Sequence, residues 1–253
     1  MSKLFNNLTT EGLEEAEDRL GGFSVLNSDI YTGEIKAMYA GASDGGAQNI
    51  TVIVDIDGRE YRETVYVTNK KGENFWVNTK ADNKRMPLPG FTLINDICLV
   101  ATGAPLSDQN AEDKVFKIYD TDAKRELPKT VPMLIDCVGK TVTLAILKVL
   151  ENKNAKDSSG SYVATADTRE SNTIDKVFDT ESKMTVVEAQ SGAESAVFHD
   201  AWLEKNKDQT RDKREIKDGG NGGTAGRPGA ANSNSAAAAG GGERKSLFGK
   251  KAA

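Results

Sequence analysis

Apolar and polar residues alternate most regularly where the chain reads QNITVIVDIDGREYRETVY, from Gln48 to Tyr66. Two such runs meeting at Asp57-Gly58 predict a β-hairpin, because a two-residue type I′ turn needs positive φ at both central residues. With that turn, Val54 faces Tyr61, Val52 faces Glu63 and Ile50 faces Val65, which makes one face mostly apolar. The other face pairs Ile53 with Arg62, Thr51 with Thr64 and Asn49 with Tyr66. Tyr61 falls on the core side, whereas Arg62 and Tyr66 point away from it.

The remaining pattern extends this picture. Ser24 to Tyr39 reads as one or two strands, with Ile35, Ala37 and Tyr39 alternating with Lys36 and Met38. A turn at Asn69-Lys70-Lys71-Gly72 precedes a short strand at Asn74 to Val77, so three to four antiparallel strands follow one another as a meander or small barrel. Pro87 and Pro89 break that rhythm. Phe91, Ile94, Ile97, Cys98 and Val100-Ala101 then recur at helical spacing, predicting a buried helix over Thr92 to Thr102 that ends at Gly103-Ala104-Pro105. Further strands are predicted at Val115 to Asp120, Thr141 to Leu150 and Thr173 to Phe178. Val131 to Cys137 reads as a short helix or turn, and Asn152 to Ser161 as a polar loop onto which Ser161 to Thr165 pairs back. Thr185 to Gln190 reads as a helical turn, and the charged stretch around Trp202, from Ala201 to Asp218, as a helix or an arm. Thr9 or Thr10 caps a short acidic helix over LEEAEDRL, stopped by Gly21-Gly22. A helix inserted between the third and fourth of about five strands is the plan of an oligonucleotide-binding barrel.

Composition divides the chain in two. From Gly219 onward it collapses into Gly, Ala, Ser and Asn, too little apolar surface to offset its ordering entropy. The expected organisation is therefore one domain over 1–218 and a disordered Gly/Ala/Ser-rich tail over 219–253. The formal net charge is −5; the tail carries Arg227, Arg244, Lys245, Lys250 and Lys251 against Glu243, +4, which leaves −9 for the rest. An acidic body holds a polyanion only through a local basic patch.

Catalytic and metal chemistry find little footing. Cys98 and Cys137 are the only cysteines, both in apolar surroundings, and read as buried thiols of a reducing compartment. The single histidine, His199, is expected at the surface and cannot form a histidine-pair metal site. Gly139-Lys140-Thr141 ends like a phosphate-binding loop but lacks the upstream glycine. Asp55, Asp57 and Glu60 cluster at the hairpin tip, where turn chemistry explains them. No cofactor and no enzymatic activity are expected. MSKLFNNLTT lacks the apolar core of a signal peptide, and no run of 18 apolar residues suggests a membrane span, so a cytoplasmic setting without membrane association is expected.

Binding chemistry is denser. Arg59, Arg62, Lys70, Lys71, Lys80, Lys84 and Arg85 fall close together, with Tyr61, Tyr66, Phe75 and Trp76 among them. Cations neutralise a phosphate backbone and aromatic faces stack bases, which suits a sequence-tolerant groove for a single strand. Strand neighbours face opposite ways, so only one of Phe75 and Trp76 points inward. The candidate nucleic-acid contacts are Lys36, Arg59, Arg62, Tyr66, Lys70, Lys71, Trp76, Lys80, Lys84 and Arg85.

The run KKGENFWVNTKADNKRMPLPGFTLINDICLVATG, followed by KVFKIYD, LPKTVPML, DCVGK and TRESNTIDKVFD, resembles single-stranded DNA-binding proteins of tailed bacteriophages. The likeness spans Phe23 to about Asp212 and rests on texture and order. It implies a mainly β, oligonucleotide-binding (OB) fold with inserted helices that coats single-stranded DNA during phage replication, recombination and repair in the host cytoplasm. Its groove falls around Arg62, Tyr66, Lys70, Lys71, Trp76, Lys84 and Arg85. Many such proteins end in an acidic tail tipped by an aromatic that recruits replication or recombination proteins. Here the tip ERKSLFGKKAA is basic, with Leu247 and Phe248 as the partner-binding candidates. It could instead dock on acidic partners, touch DNA or contact the chain's own acidic body. Self-association along DNA stays open. The alternative is a phage structural or assembly protein without DNA affinity. A nuclease would need a carboxylate metal cluster that the sequence does not place.

Overall fold

The structure, a computed structural model, describes residues 25–120, 122–158 and 160–216. The predicted acidic helix over LEEAEDRL and the tail with Leu247 and Phe248 lie outside the described residues.

Antiparallel strands make up about half of the described residues. β1 (Asp29–Ala42), β2 (Gln48–Ile56) and β3 (Arg59–Tyr66) follow in order. Asp57 (φ 53°) and Gly58 (φ 80°) both have positive φ, and the hairpin register is the predicted one, from Val54 opposite Tyr61 to Asn49 opposite Tyr66. β1 is a single strand with a bulge between Ile35 and Ala37. The bulge breaks the expected alternation: Ile35 and Met38 both reach the main core, while Ala37 and Tyr39 face the opposite side.

The meander stops at β3. β4 (Phe75–Asn78) pairs with β5 (Lys84–Pro87) in a separate two-stranded sheet rather than continuing the main one. Helix α1 (Pro89–Thr102) starts earlier than its apolar spacing suggested, because Pro89 occupies the first turn, where its missing N–H costs nothing. Gly103, in the left-handed region, ends it. β6 (Ala111–Asp120) and β7 (Arg125–Leu134) form an antiparallel arm, and a 3-10 turn follows at Ile135–Cys137. β8 (Thr141–Lys156) and β9 (Tyr162–Phe178) form a long hairpin. The expected polar loop at Asn152 to Ser161 is mostly strand: the hairpin ladder continues to Lys156 opposite Tyr162, leaving only a short turn. Helices α2 (Val186–Ser191) and α3 (Val197–Asn206) and the short strand β10 (Thr210–Asp212) complete the described chain. α2 begins with a reciprocal capping box between Thr185 and Glu188.

In the main sheet β3, β2, β1, β8 and β9 lie side by side, β10 runs parallel to β8, and the arm joins β1 through Tyr39 and Met133. The sheet is not a closed barrel. No backbone ladder joins β3 to β9; Glu63 spans the gap instead. Its carboxylate accepts hydrogen bonds from the Thr173 hydroxyl (2.8 Å), the Ile174 N–H (2.7 Å) and the Tyr61 hydroxyl (2.7 Å). α1 packs against β3, β8 and β9. Its Ile94, Ile97 and Cys98 are fully buried with Val52, Val54, Leu144 and Ile146. Each such aliphatic side chain contributes roughly 1.5–3 kcal/mol of burial.

Two further clusters cover the other side of the sheet. The arm lays Phe116 and Ile118 over Ala37, Tyr39 and Ile53. α3 lays Trp202 over Ala145, Leu147, Val149 and Phe178. His199, expected at the surface, is buried beside Phe178 (ring centroids 5.2 Å apart), with Nδ1 2.8 Å from the Asp200 carboxylate. Its helix turns it inward because the charged positions Asp200 and Glu204 occupy the outer face.

Candidate nucleic-acid interface

The outer face of β2 and β3 carries the side chains that alternation turned away from the main core. Along β3 these are Arg62, Thr64 and Tyr66, all exposed. A hydrogen bond between the hydroxyls of Thr51 and Thr64 (2.8 Å) fixes the middle of this face, and Tyr66, half exposed at 51%, closes one end. Ile53, opposite Arg62, is fully buried under the arm, so the arm roofs β1 and β2 and leaves the β3 row open.

The ten candidate contacts separate into two groups. Arg59 and Tyr66 bound β3 and lie about 23 Å apart at strand rise. At the Arg59 end, Lys36 sits 3.1 Å from the Glu34 carboxylate and 3.7 Å from that of Asp55. The Glu34 hydrogen bond raises the Lys36 pKa above its ordinary value. Arg62 is 3.1 Å from Glu60. Arg59 is half-buried and lines a cavity with Tyr31, Lys148 and Glu170. These three cations therefore stand among acids.

At the Tyr66 end the surroundings are different. The segment after β3 is tied back by bonds from the Val67 and Thr68 N–H groups to the Gln48 carbonyl. The following turn is held by Asn69, whose side chain accepts from the Lys71 and Glu73 N–H groups. This places Lys70 against the β1–β2 loop: a Cβ on Gly45 would stand 3.3 Å from the Lys70 side chain. The β4–β5 hairpin is closed at its base by the Leu88 N–H on the Asn74 carbonyl (2.9 Å). Beyond it, Gly90 packs the first turn of α1 onto the end of β3. Any Cβ there would collide with the Tyr66 carbonyl oxygen, 2.1 Å away, so α1 can sit against Tyr66 only with glycine at this position.

Register assigns the hairpin's two faces. Trp76 opposes Met86 and Asn78 opposes Lys84 on one; Phe75 opposes Pro87 and Val77 opposes Arg85 on the other. Trp76 is exposed (46%), whereas Phe75 is half-buried with the Arg85 guanidinium 4.5 Å from its ring centroid. Arg85 is thereby held over an aromatic face. Lys80 lies in the connecting loop, its N–H on the Asn78 side-chain oxygen. Lys70, Lys71, Lys80, Lys84 and Arg85 are all exposed, and none makes an ion pair among the described residues. Glu73 and Asp82 are the only acids between Asn69 and Pro87, leaving this end of the molecule positive on an otherwise acidic chain. Two exposed aromatic rings among five unpaired cations can stack planar groups while neutralising anions beside them.

The sequence places Phe75 among the inward-facing candidates without naming Arg85 as its partner, and does not single out the arm residues Phe116 and Ile118 that bound this face. The strand parity of Phe75 and Trp76 was the available signal for the first. For the arm, the signal was Ile53, an apolar residue on the otherwise polar outer face of β2 between apolar Val52 and Val54, which needs cover on that side too. Among the described residues no group of His, Cys, Asp and Glu is arranged to hold a metal ion, and no helix is long and apolar enough to cross a membrane. In comparisons with known protein families and with curated proteins, nothing matches the chain.

Proposed function

We propose that this chain is a sequence-tolerant single-stranded DNA-binding protein that coats and protects single strands in phage replication, recombination and repair. The observation that carries this reading is the positive end of the sheet, where exposed Tyr66 and Trp76 stand among Lys70, Lys71, Lys80, Lys84 and Arg85, none in an ion pair among the described residues. Single strands offer unpaired bases for stacking, worth roughly 1–3 kcal/mol each, and a phosphate row for the cations. Duplex DNA hides its base faces and gains only the electrostatic part.

The topology supports the same reading. The order β3-β2-β1-β8-β9, with α1 connecting β3 to the later strands and packed between β3 and β9, is compatible with an OB plan left open between β3 and β9. In this reading the Glu63 bridge replaces the backbone closure, the β6–β7 arm is an insertion between helix and fourth strand, and β10 is an addition. The β3 row beside the β1–β2 loop is then the strand's path, with the β4–β5 hairpin as its wall. Lys36, Arg59 and Arg62, placed among acids, contribute less than the five cations at the Tyr66 end.

Anisotropy of a labelled oligo-dT at low salt tests this directly, with a duplex of equal length as competitor. Binding that the duplex competes only weakly is the expected result. An oligo-dT left free at micromolar protein would sink the proposal.

A further inference from the structure

Helix α3 reads VFHDAWLEKN, and its 3.6-residue period segregates charge. Phe198, Ala201, Trp202 and Lys205 share one stripe, while Asp200 and Glu204 project from the opposite side. The stripe faces β10, which pairs with β8 at Lys148–Leu150 and has no strand on its other edge among the described residues. Between α3 and β10 lies a cavity of about 460 Å³, lined by Leu147, Phe198, Trp202, Lys205, Gln209 and Arg211 among others.

The chemistry of its lining is specific. Trp202 is nearly fully buried and forms the floor, its Nε1 donating to the Asp175 carboxylate (2.7 Å). The second oxygen of Asp175 lies 3.8 Å from the Arg211 guanidinium, so this acid is engaged on both sides. Phe198 is 40% exposed at the rim, with Lys176 Nζ 5.7 Å from its ring centroid. Lys205 makes no ion pair among the described residues. An apolar floor is thus ringed by cations, and a free strand edge runs alongside. This cavity lies over β8, with β1, β2 and the arm between it and the β3 row, so it is separate from the nucleic-acid surface described above.

We propose that the α3–β10 cavity docks an acidic peptide segment of another protein through one aromatic or large aliphatic anchor. The anchor fills the space over Trp202 and against Phe198. Its acidic neighbours meet Lys205, Arg211 and Lys176. The extended backbone adds to the open edge of β10, a main-chain match that a nucleic acid does not offer. The volume suits one large side chain with its flanking residues.

The test uses the full chain and a fluorescein-labelled six-residue peptide of aspartates and glutamates around one phenylalanine, read by fluorescence polarisation. Micromolar binding is expected. It should weaken at least about tenfold when the peptide's phenylalanine becomes serine, and likewise in the Lys205→Glu and Phe198→Ser variants. Lys205 is exposed, so Lys205→Glu keeps its melting temperature and reports on the site even if Phe198→Ser lowers stability. Absence of peptide binding at millimolar concentration overturns the proposal. So does unchanged affinity in Lys205→Glu, or displacement of the peptide by stoichiometric oligo-dT, which would make the cavity part of a nucleic-acid surface.

Discussion

Glu63 joins two strands that the backbone leaves apart. Its carboxylate takes hydrogen bonds from Tyr61, Thr173 and Ile174, so β3 and β9 are stapled by one side chain. Burial and this carboxylate together push the Tyr61 hydroxyl pKa well above its ordinary value, keeping it a donor at any physiological pH. Glu63→Ala leaves a buried hydroxyl and a strand-edge N–H without their acceptor, at roughly 1–3 kcal/mol for each unsatisfied group. Urea unfolding of that variant should show a loss of about 2–4 kcal/mol; a loss under 0.5 kcal/mol would mean the staple is incidental. Asp96, on α1, carries the opposite kind of electrostatics. Desolvation raises its pKa from 3.8 to about 6, against the opposing pull of Lys176. A carboxyl whose folded pKa exceeds its unfolded value stabilises the fold while protonated, and that contribution is lost as pH rises through about 4 to 6. Asp96→Asn should therefore be more stable than the natural chain at pH 8, by on the order of 2 kcal/mol, and close to it at pH 4. Thermal melts at the two pH values decide this, and an equal difference at both would refute it.

The β4–β5 hairpin is the element on which the DNA-binding proposal depends most. Its base is already closed by the Leu88–Asn74 hydrogen bond, and its strands pair only with each other. Replacing residues 75–87 with a short Gly/Ser linker should leave the melting temperature within a few degrees. The same change should lower oligo-dT affinity at least tenfold. Retained affinity would move the binding surface elsewhere. How much of this was legible in the sequence follows from range. Asp57-Gly58 gave the β2–β3 register residue by residue, because a two-residue turn is a local constraint. Thr185 to Gln190 was readable as a helical turn, which the structure shows as α2 with its capping box. A strand was readable at Asn74 to Val77, but its pairing with Lys84 to Pro87 was not, since either neighbour offers a ladder and tertiary packing chooses. The segment 152–156 looked like loop because its residues are polar; they are strand because the long β8–β9 hairpin projects into solvent, where both faces can be polar. His199 is buried rather than at the surface, which the sequence does not announce because one histidine in a charged stretch carries no period of its own; its burial is decided by Phe178, 21 residues earlier.

For the molecule as a whole, charge and topology must agree for the central claim to hold. The chain is acidic overall, yet five cations without an ion pair among the described residues gather with exposed Tyr66 and Trp76 at one end of an open sheet. The aromatic composition of the candidate surface was legible from residue types and strand parity. The division of its cations into unpaired and acid-flanked groups was legible only in part: Lys36–Glu34 and Arg62–Glu60 lie two residues apart on one strand, whereas Lys36–Asp55 is a contact between strands. The two tryptophans make the claim measurable: Trp76 is 46% exposed on the candidate surface and Trp202 is 3% exposed on the far side of the arm. The decisive measurement is a salt titration of intrinsic fluorescence as oligo-dT is added, on the natural chain and on Trp76→Phe. The account predicts quenching that disappears in Trp76→Phe. It also predicts a log affinity that falls against log salt with a slope of about −3, the value for four to five phosphate contacts on a single strand. Unchanged Trp76 emission at low salt, or an affinity indifferent to salt, would contradict it.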